Sequence, residues 1–197
     1  MKLLEDYIIK YGDTPNDNVL KVDYFLNHQI DTHLMMEMAK EFKAYFEDRH
    51  ITKIVTIETS GIAPSVFLGY LLNVPVVFMK KNASRIMVDD NYHTQVHSFT
   101  KNVDYDLIVS KKYMTKEDRI LFIDDFMANG EACLGALRLI EEAGATMCGV
   151  GIVIEKAFQN GRHKVEDLGY DVYSLARVQS LKKGAIKFCE EGNCIQK

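Results

Sequence analysis

The sequence predicts an α/β protein built on a mostly parallel, twisted sheet flanked by helices. Three observations predict it. Short apolar, β-branched runs recur along the chain, at 51–58, 74–81, 119–126 and 145–156. They alternate with segments whose apolar residues repeat at helical spacing, which is the pattern of right-handed βαβ units. A long polar stretch, KNASRIMVDDNYHTQVHSFTKNVDYD (81–106), separates the second run from the third. Inside a compact domain a connection of that length reads as a lid or binding loop.

The elements follow in order. The first 11 residues read as a helix. DNVLKVDYFLNHQID (17–31) reads as a short extended piece and a loop. Asp31 or Thr32 can cap the next helix. In that helix Met35, Met38, Ala39, Phe42 and Phe46 form one apolar stripe. ITKIVTIE (51–58) is a strand buried on both faces. TSGIAPSVFLGYLLN turns into a helix that tolerates Pro64 in its first turn. VPVVFMKK is a second buried strand and RILFIDDF a third. EACLGALRLIEEAGA is a helix with Cys133, Ala136, Leu137 and Ile140 on one face and Gly144 near its end. ATMCGVGIVIEK is a fourth strand. The 81–106 stretch alternates weakly, as a hairpin does.

Composition sets bounds. The 197 residues suit one domain with a sizeable core, and 47% hydrophobic with 26% charged residues is ordinary for a globular protein. A net charge of −4 gives no basic field for nucleic acid. No apolar run approaches the ~18 residues of a membrane span, and MKLLEDYIIK has no apolar core of a signal peptide, so a cytoplasmic protein is expected. Cys133 and Cys148 lie in apolar surroundings and read as small hydrophobes. Cys189 and Cys194 have no second Cys/His pair at zinc spacing, so the tail reads as exposed and reduced, without metal.

In parallel α/β sheets, ligands sit outside the carboxyl ends of the strands. Three segments fall there. Asp124-Asp125 end a strand, and the small loop Ala128-Asn129-Gly130-Glu131-Ala132 leads into a helix. A helix N-terminus offers open N–H groups to phosphate, while adjacent carboxylates suit hydroxyls or a cation. A ribose phosphate satisfies both. Glu58-Thr59-Ser60-Gly61-Ile62 is a second turn with hydroxyls and backbone donors for an anion. Lys80-Lys81 end the second strand and would neutralise a diphosphate. Each alone also reads as an ordinary turn or solvated strand end. His93 and His97 in HTQVH read as lid surface rather than a metal pair.

Together these segments resemble the type I phosphoribosyltransferases, whose signature strand ends in two acids followed by a small phosphate loop, here ILFIDDFMANGEA. VLKVDYFLNHQI, IVTIETSGIAP, VPVVF, GIVIEKAFQNGR and SLARVQSL extend the likeness over nearly the whole chain. The resemblance implies one phosphoribosyltransferase domain over 1–197, with a small N-terminal hood (about 1–50) and a lid at 81–106. It implies transfer of 5-phosphoribosyl from phosphoribosyl diphosphate to a purine, xanthine first and guanine or hypoxanthine as the alternative. A non-catalytic sensor of phosphoribosyl diphosphate is the other alternative, against which stands the lack of a DNA-binding domain or basic surface.

By the same resemblance, Asp124 and Asp125 face the ribose hydroxyls, directly or through Mg²⁺ held mainly by the diphosphate and water. Ala128, Asn129, Gly130, Glu131 and Ala132 hold the 5-phosphate. Thr59, Ser60 and Gly61, with Lys81 and then Lys80, take the pyrophosphate. Leu20, Asn27 and Lys156 contact the purine; Phe158 stacks on it or fills the core, and His28 is a weaker contact. The likeness also implies a homodimer. Two departures stand out. The loop lacks the usual Thr, so backbone N–H groups carry more of the phosphate. Ala128 stands where the hypoxanthine-guanine type has an acid.

Overall fold

A computed structural model of the chain describes residues 1–81, 90–98 and 103–190. The N-terminal part comprises α1 (Lys2–Tyr11), a two-stranded ribbon of β1 (Asp13–Asn16) and β2 (Val19–Lys21), and α2 (Thr32–Phe46). Then come β3 (Lys53–Ile57), α3 (Ile62–Leu72), β4 (Val76–Lys81), β5 (Asn91–Ser98) and β6 (Val103–Ser110). The remainder is β7 (Arg119–Met127), α4 (Glu131–Glu142), β8 (Thr146–Lys156), α5 (Gly161–Glu166), β9 (Val172–Lys182) and β10 (Ala185–Phe188).

Eight strands form one sheet in the order β10-β9-β8-β7-β3-β4-β6-β5. The five central strands run parallel; β10, β6 and β5 are antiparallel additions at the edges. The predicted α/β sheet is therefore present, with the four expected parallel strands at its centre and β9 completing the parallel set.

The apolar runs divide between two cores. Along β7, Leu121 and Ile123 pack under α1, α2 and α3, while Ile120 and Phe122 pack under α4 on the other face. All four are fully buried. This is why the run is continuous rather than alternating: a central parallel strand has no solvent face. Asp31 caps α2, its carboxylate accepting from Leu34 N at 3.0 Å.

Some local expectations are corrected. Residues 23–27 form a π-helical turn rather than a loop. The strand at 76–81 is not buried: only Met79 is, and Phe78 is 42% exposed. The reason is its position. β4 pairs with β3 over Val76–Met79 and meets β6 only at Lys80 and Lys81, so among the described residues Val76–Phe78 have no strand on their outer side. The hairpin seen in the 81–106 stretch exists, but its second strand continues to Ser110. Residues 82–89 and 99–102 of the expected lid lie outside the described residues. Cys189 is disulfide-bonded, so the reading of a fully reduced tail does not hold there. Cys194 lies outside the described residues.

Connectivity places the ligand edge. From β3 the chain crosses through α3 on one face to β4; from β7 it crosses through α4 on the other face to β8. The strand order therefore switches direction between β3 and β7, the position where such sheets open a crevice at their carboxyl ends.

Candidate active site

A cavity of about 1190 Å³ opens at that switch point. Its floor is the end of β7 and the loop into α4, Asp124 through Cys133. One wall is the turn after β3, with Glu58, Thr59 and Ser60, and the end of β4, with Lys81. Another wall is the hairpin, with His97, Asp104 and Tyr105. At the far end stand Lys156 and the β1–β2 turn, Pro15 to Val19.

The two acids differ in setting. Asp124 is 7% exposed, and its Oδ1 accepts from Asp125 N at 3.0 Å. Burial, and then the charge of Asp125, push the Asp124 carboxyl well above the usual carboxylate range; Lys81 opposes this. Asp125 is half-buried and reaches the cavity.

The loop after them is shaped by glycine. Gly130 sits at φ 84°, the left-handed region that costs other residues most. No side-chain hydrogen bond caps α4 at Gly130, and the first turn of the helix lies at the cavity floor, where helix N–H groups suit an anion.

Gly61 matters for a different reason. It does not line the cavity but packs behind Asp124. A Cβ there would lie 2.2 Å from Thr56 Oγ1 and 2.9 Å from Asp124 Oδ1. Gly61→Ala should therefore lower the melting temperature measurably, since forcing an extra carbon into a packed site costs ~1–3 kcal/mol. Calorimetry on the purified variant checks this; an unchanged midpoint would show that the site yields freely.

The cationic groups are held in place. Lys81 N donates to Glu58 Oε1 at 2.6 Å, and its ammonium lies 5.5 Å from the Tyr105 ring centre. The peptide between Glu58 and Thr59 is cis. Lys80 is exposed and outside the cavity lining. Lys156 Nζ donates to Asn18 O at 2.7 Å and lies 6.0 Å from the Phe126 ring centre. Burial lowers its pKa from the ordinary lysine value.

The cavity thus gathers Asp124, Asp125, residues 128–132, Thr59, Ser60, Lys81 and Lys156. Leu20 and Asn27 are not in its lining. Leu20 is buried in the N-terminal core, while its neighbour Val19 lines the cavity. Asn27 is exposed at the end of the π-helical turn, and His28 lines a separate small groove with Tyr11 and Tyr24. Phe158 packs against the α1–α3 core; the aromatic ring near Lys156 is Phe126. His93 is exposed on β5, whereas His97 lines the cavity beside Asp104, 2.7 Å away. Four residues apart on a strand, at about 3.3 Å each, the two histidines cannot share a metal. Among the described residues no group of three or more His, Cys, Asp or Glu could hold a metal ion.

Sequence reasoning gave no role to Tyr105, Phe126 or the Asn16–Asn18 turn. Phe126 adjoins Asp125 and was open to inference from position. Tyr105 enters only through the pairing of β6 with β4, which a long loop does not announce.

Comparison with known proteins agrees with this geometry. The model of the phosphoribosyl transferase domain matches residues 23–190. The chain is similar to xanthine phosphoribosyltransferase 1 of Clostridium botulinum, at 57% identity over 95% of this chain and 99% of that protein. It is similar to xanthine phosphoribosyltransferase of Listeria innocua, at 55% identity over 97% of this chain and 100% of the relative. Among solved structures, APRTase from Giardia lamblia complexed with 9-deazaadenine superposes with a TM-score of 0.74 at 21% identity, over 88% of this chain and 97% of that one. Adenine phosphoribosyltransferase from Rhodothermus marinus gives 0.71 at 20% identity, over 90% and 99%. At those identities the likeness is one of fold. No helix among the described residues is long and apolar enough to cross a membrane.

Proposed function

The chain belongs to the phosphoribosyl transferase family, and from that premise we propose that it is a xanthine phosphoribosyltransferase of purine salvage. It transfers 5-phosphoribosyl from phosphoribosyl diphosphate to N9 of xanthine, giving xanthosine 5′-monophosphate and diphosphate. N9 bonds to the ribose C1, the bond from C1 to the diphosphate oxygen breaks, and the N9 proton leaves. The observation that carries the reading is a single cavity in which an anion-binding loop, an acid pair and the lysines Lys81 and Lys156 meet.

Each group has a role there. Residues 128–132 hold the 5-phosphate through backbone N–H groups. Asp124 and Asp125 face the ribose hydroxyls and favour the positive charge that develops on the ring. Thr59, Ser60 and Lys81 take the diphosphate, with Gly61 packed behind and Lys80 a more distant charge. Lys156 serves the purine, and Phe126 offers an apolar face beside it. Leu20 and Asn27 reach the purine only if the N-terminal elements shift toward the cavity once base is bound.

Two carboxylates are too few for a dedicated Mg²⁺ cage. They suit an ion that arrives with the diphosphate and its waters, since Mg²⁺ takes oxygen ligands and gives up water reluctantly. Bound there, Mg²⁺ supplies charge neutralisation to the leaving diphosphate. Residues 1–50 act as a hood over the base and 81–106 as a lid excluding water, all within one domain. The reading places the enzyme in the cytoplasm as a homodimer. Val66 and Tyr70, four apart on α3 and 50% and 79% exposed, and the exposed Phe78 give a second copy apolar surface to cover.

The assay is direct: purified protein, phosphoribosyl diphosphate, Mg²⁺, and xanthine, guanine, hypoxanthine or adenine in turn. Nucleotide should form fastest from xanthine. No nucleotide from any base would end the enzyme reading; a guanine preference would end the xanthine assignment alone. Ala128→Asp probes the missing acid. Xanthine is acidic enough to need no carboxylate for its ring proton, so the variant should turn over xanthine no faster than the wild type. A large acceleration in steady-state kinetics would contradict this.

A further inference from the structure

We propose that Arg162 and Gly161 form a brace that positions the phosphate loop and couples it to the strand carrying Lys156. Gly161 begins α5 and lies against the loop: its N–H donates to Ala128 O at 3.1 Å. The contact leaves no room for a side chain. A Cβ on Gly161 would lie 2.4 Å from Ala128 O and 2.9 Å from Gly130 N, and one on Gly130 would lie 2.9 Å from Gly161 Cα. A second tie joins Lys164 to Glu131, at 2.7 Å.

Something must in turn fix Gly161, and the next residue does. The Arg162 guanidinium donates to Glu155 (Nη2 to Oε2, 2.7 Å), Ser174 Oγ, Val172 O and Glu166. Each of its donors is used, so its fork can take one orientation. Glu155 is 2% exposed and also accepts from Arg177 at 3.1 Å. Burial alone would raise the Glu155 carboxyl; the hydrogen bonds and charge of Arg162 outweigh it and hold the group below the usual range. Glu155 immediately precedes Lys156 on β8. The purine-side lysine and the phosphate loop are thus tied to one buried ion pair, a few bonds from each.

This rests on the reading that residues 128–132 hold the 5-phosphate. None of the brace residues touches substrate; they act through the loop. The test uses the full-length protein with Arg162→Lys, which keeps the charge that Glu155 needs but loses the fork, and Gly161→Ala, which leaves the ion pair intact. Two quantities are read: hydrogen exchange of the 128–132 amides without ligand, and dissociation constants for ribose 5-phosphate and for pyrophosphate. Both variants should speed exchange across the loop. They should weaken ribose 5-phosphate by about tenfold to a hundredfold, as misplacement by roughly 1 Å does, and leave pyrophosphate within about twofold. Unchanged loop exchange in both folded variants overturns the brace. Faster exchange with unchanged ribose 5-phosphate affinity overturns it as a ligand-positioning device, and locates the failure in the phosphate-loop reading. Equal weakening of both ligands marks general loosening and overturns it as well.

Discussion

Asp125→Asn should lower kcat/KM for phosphoribosyl diphosphate by about a hundredfold or more, because the site loses a charge aimed at a developing cation. The fold should survive, since Asp125 is half-buried and its carboxylate faces the cavity. Asp124→Asn should lose comparable activity yet melt higher than the wild type at neutral pH. The Asp124 carboxyl is raised by burial and by its neighbour. A raised acid holds its proton more tightly folded than unfolded. Its contribution to stability is therefore full in acid, below the ordinary carboxylate pKa, and is lost as pH climbs to the raised value. Above that value the wild type carries a buried like-charge pair that the Asn variant lacks. The gap in melting temperature should open from about pH 4 upward and then level off. Calorimetry across that range, beside steady-state kinetics, checks both halves. A variant that melts lower at every pH would mean that Asp124 is held by partners rather than strained by burial.

That pair also shows what the sequence makes legible. RILFIDDF ends in two acids at a strand's carboxyl end, so position alone put them at the ligand edge. The parallel core was legible for a related reason: Ile120 to Ile123 are all apolar because both sheet faces are covered. What escaped depends on partners distant in sequence. VPVVFMKK reads like a core strand, yet Phe78 is exposed, since lateral coverage by β6 reaches only Lys80 and Lys81. Tyr105 meets Lys81 through the pairing of β6 with β4, and Gly161 meets Ala128 across 33 positions. Composition and period carry no record of such contacts. Phe158, open by spacing to either the base or the core, is separated from Phe126 for the same reason: both pack against the α1–α3 core, but only Phe126 also lines the cavity beside Lys156.

Lys156→Met should cut kcat/KM for xanthine by about a hundredfold and leave the affinity for phosphoribosyl diphosphate nearly unchanged. Met keeps the stem and loses the charge. A hydrogen bond to a charged group contributes roughly 1.5–3 kcal/mol, and each ~1.4 kcal/mol is a factor of ten, so a hundredfold loss lies toward the upper end of that range. In the free protein the ammonium is held by Asn18 O at 2.7 Å, so the site already orients the donor before base arrives. Burial lowers the lysine pKa, which moves its loss of charge toward the working range. Xanthine gains charge as pH rises while Lys156 loses it. Turnover should therefore climb with the xanthine anion and fall as the amine deprotonates, a bell with its alkaline limb below that of an ordinary lysine. The Met variant should lose that limb, and its preference for xanthine over hypoxanthine should shrink, because hypoxanthine offers less anion to pair with. The pH profiles of wild type and variant on both bases decide it. An alkaline limb that persists in Lys156→Met belongs to another group, and a preserved preference would mean that shape rather than charge selects the base.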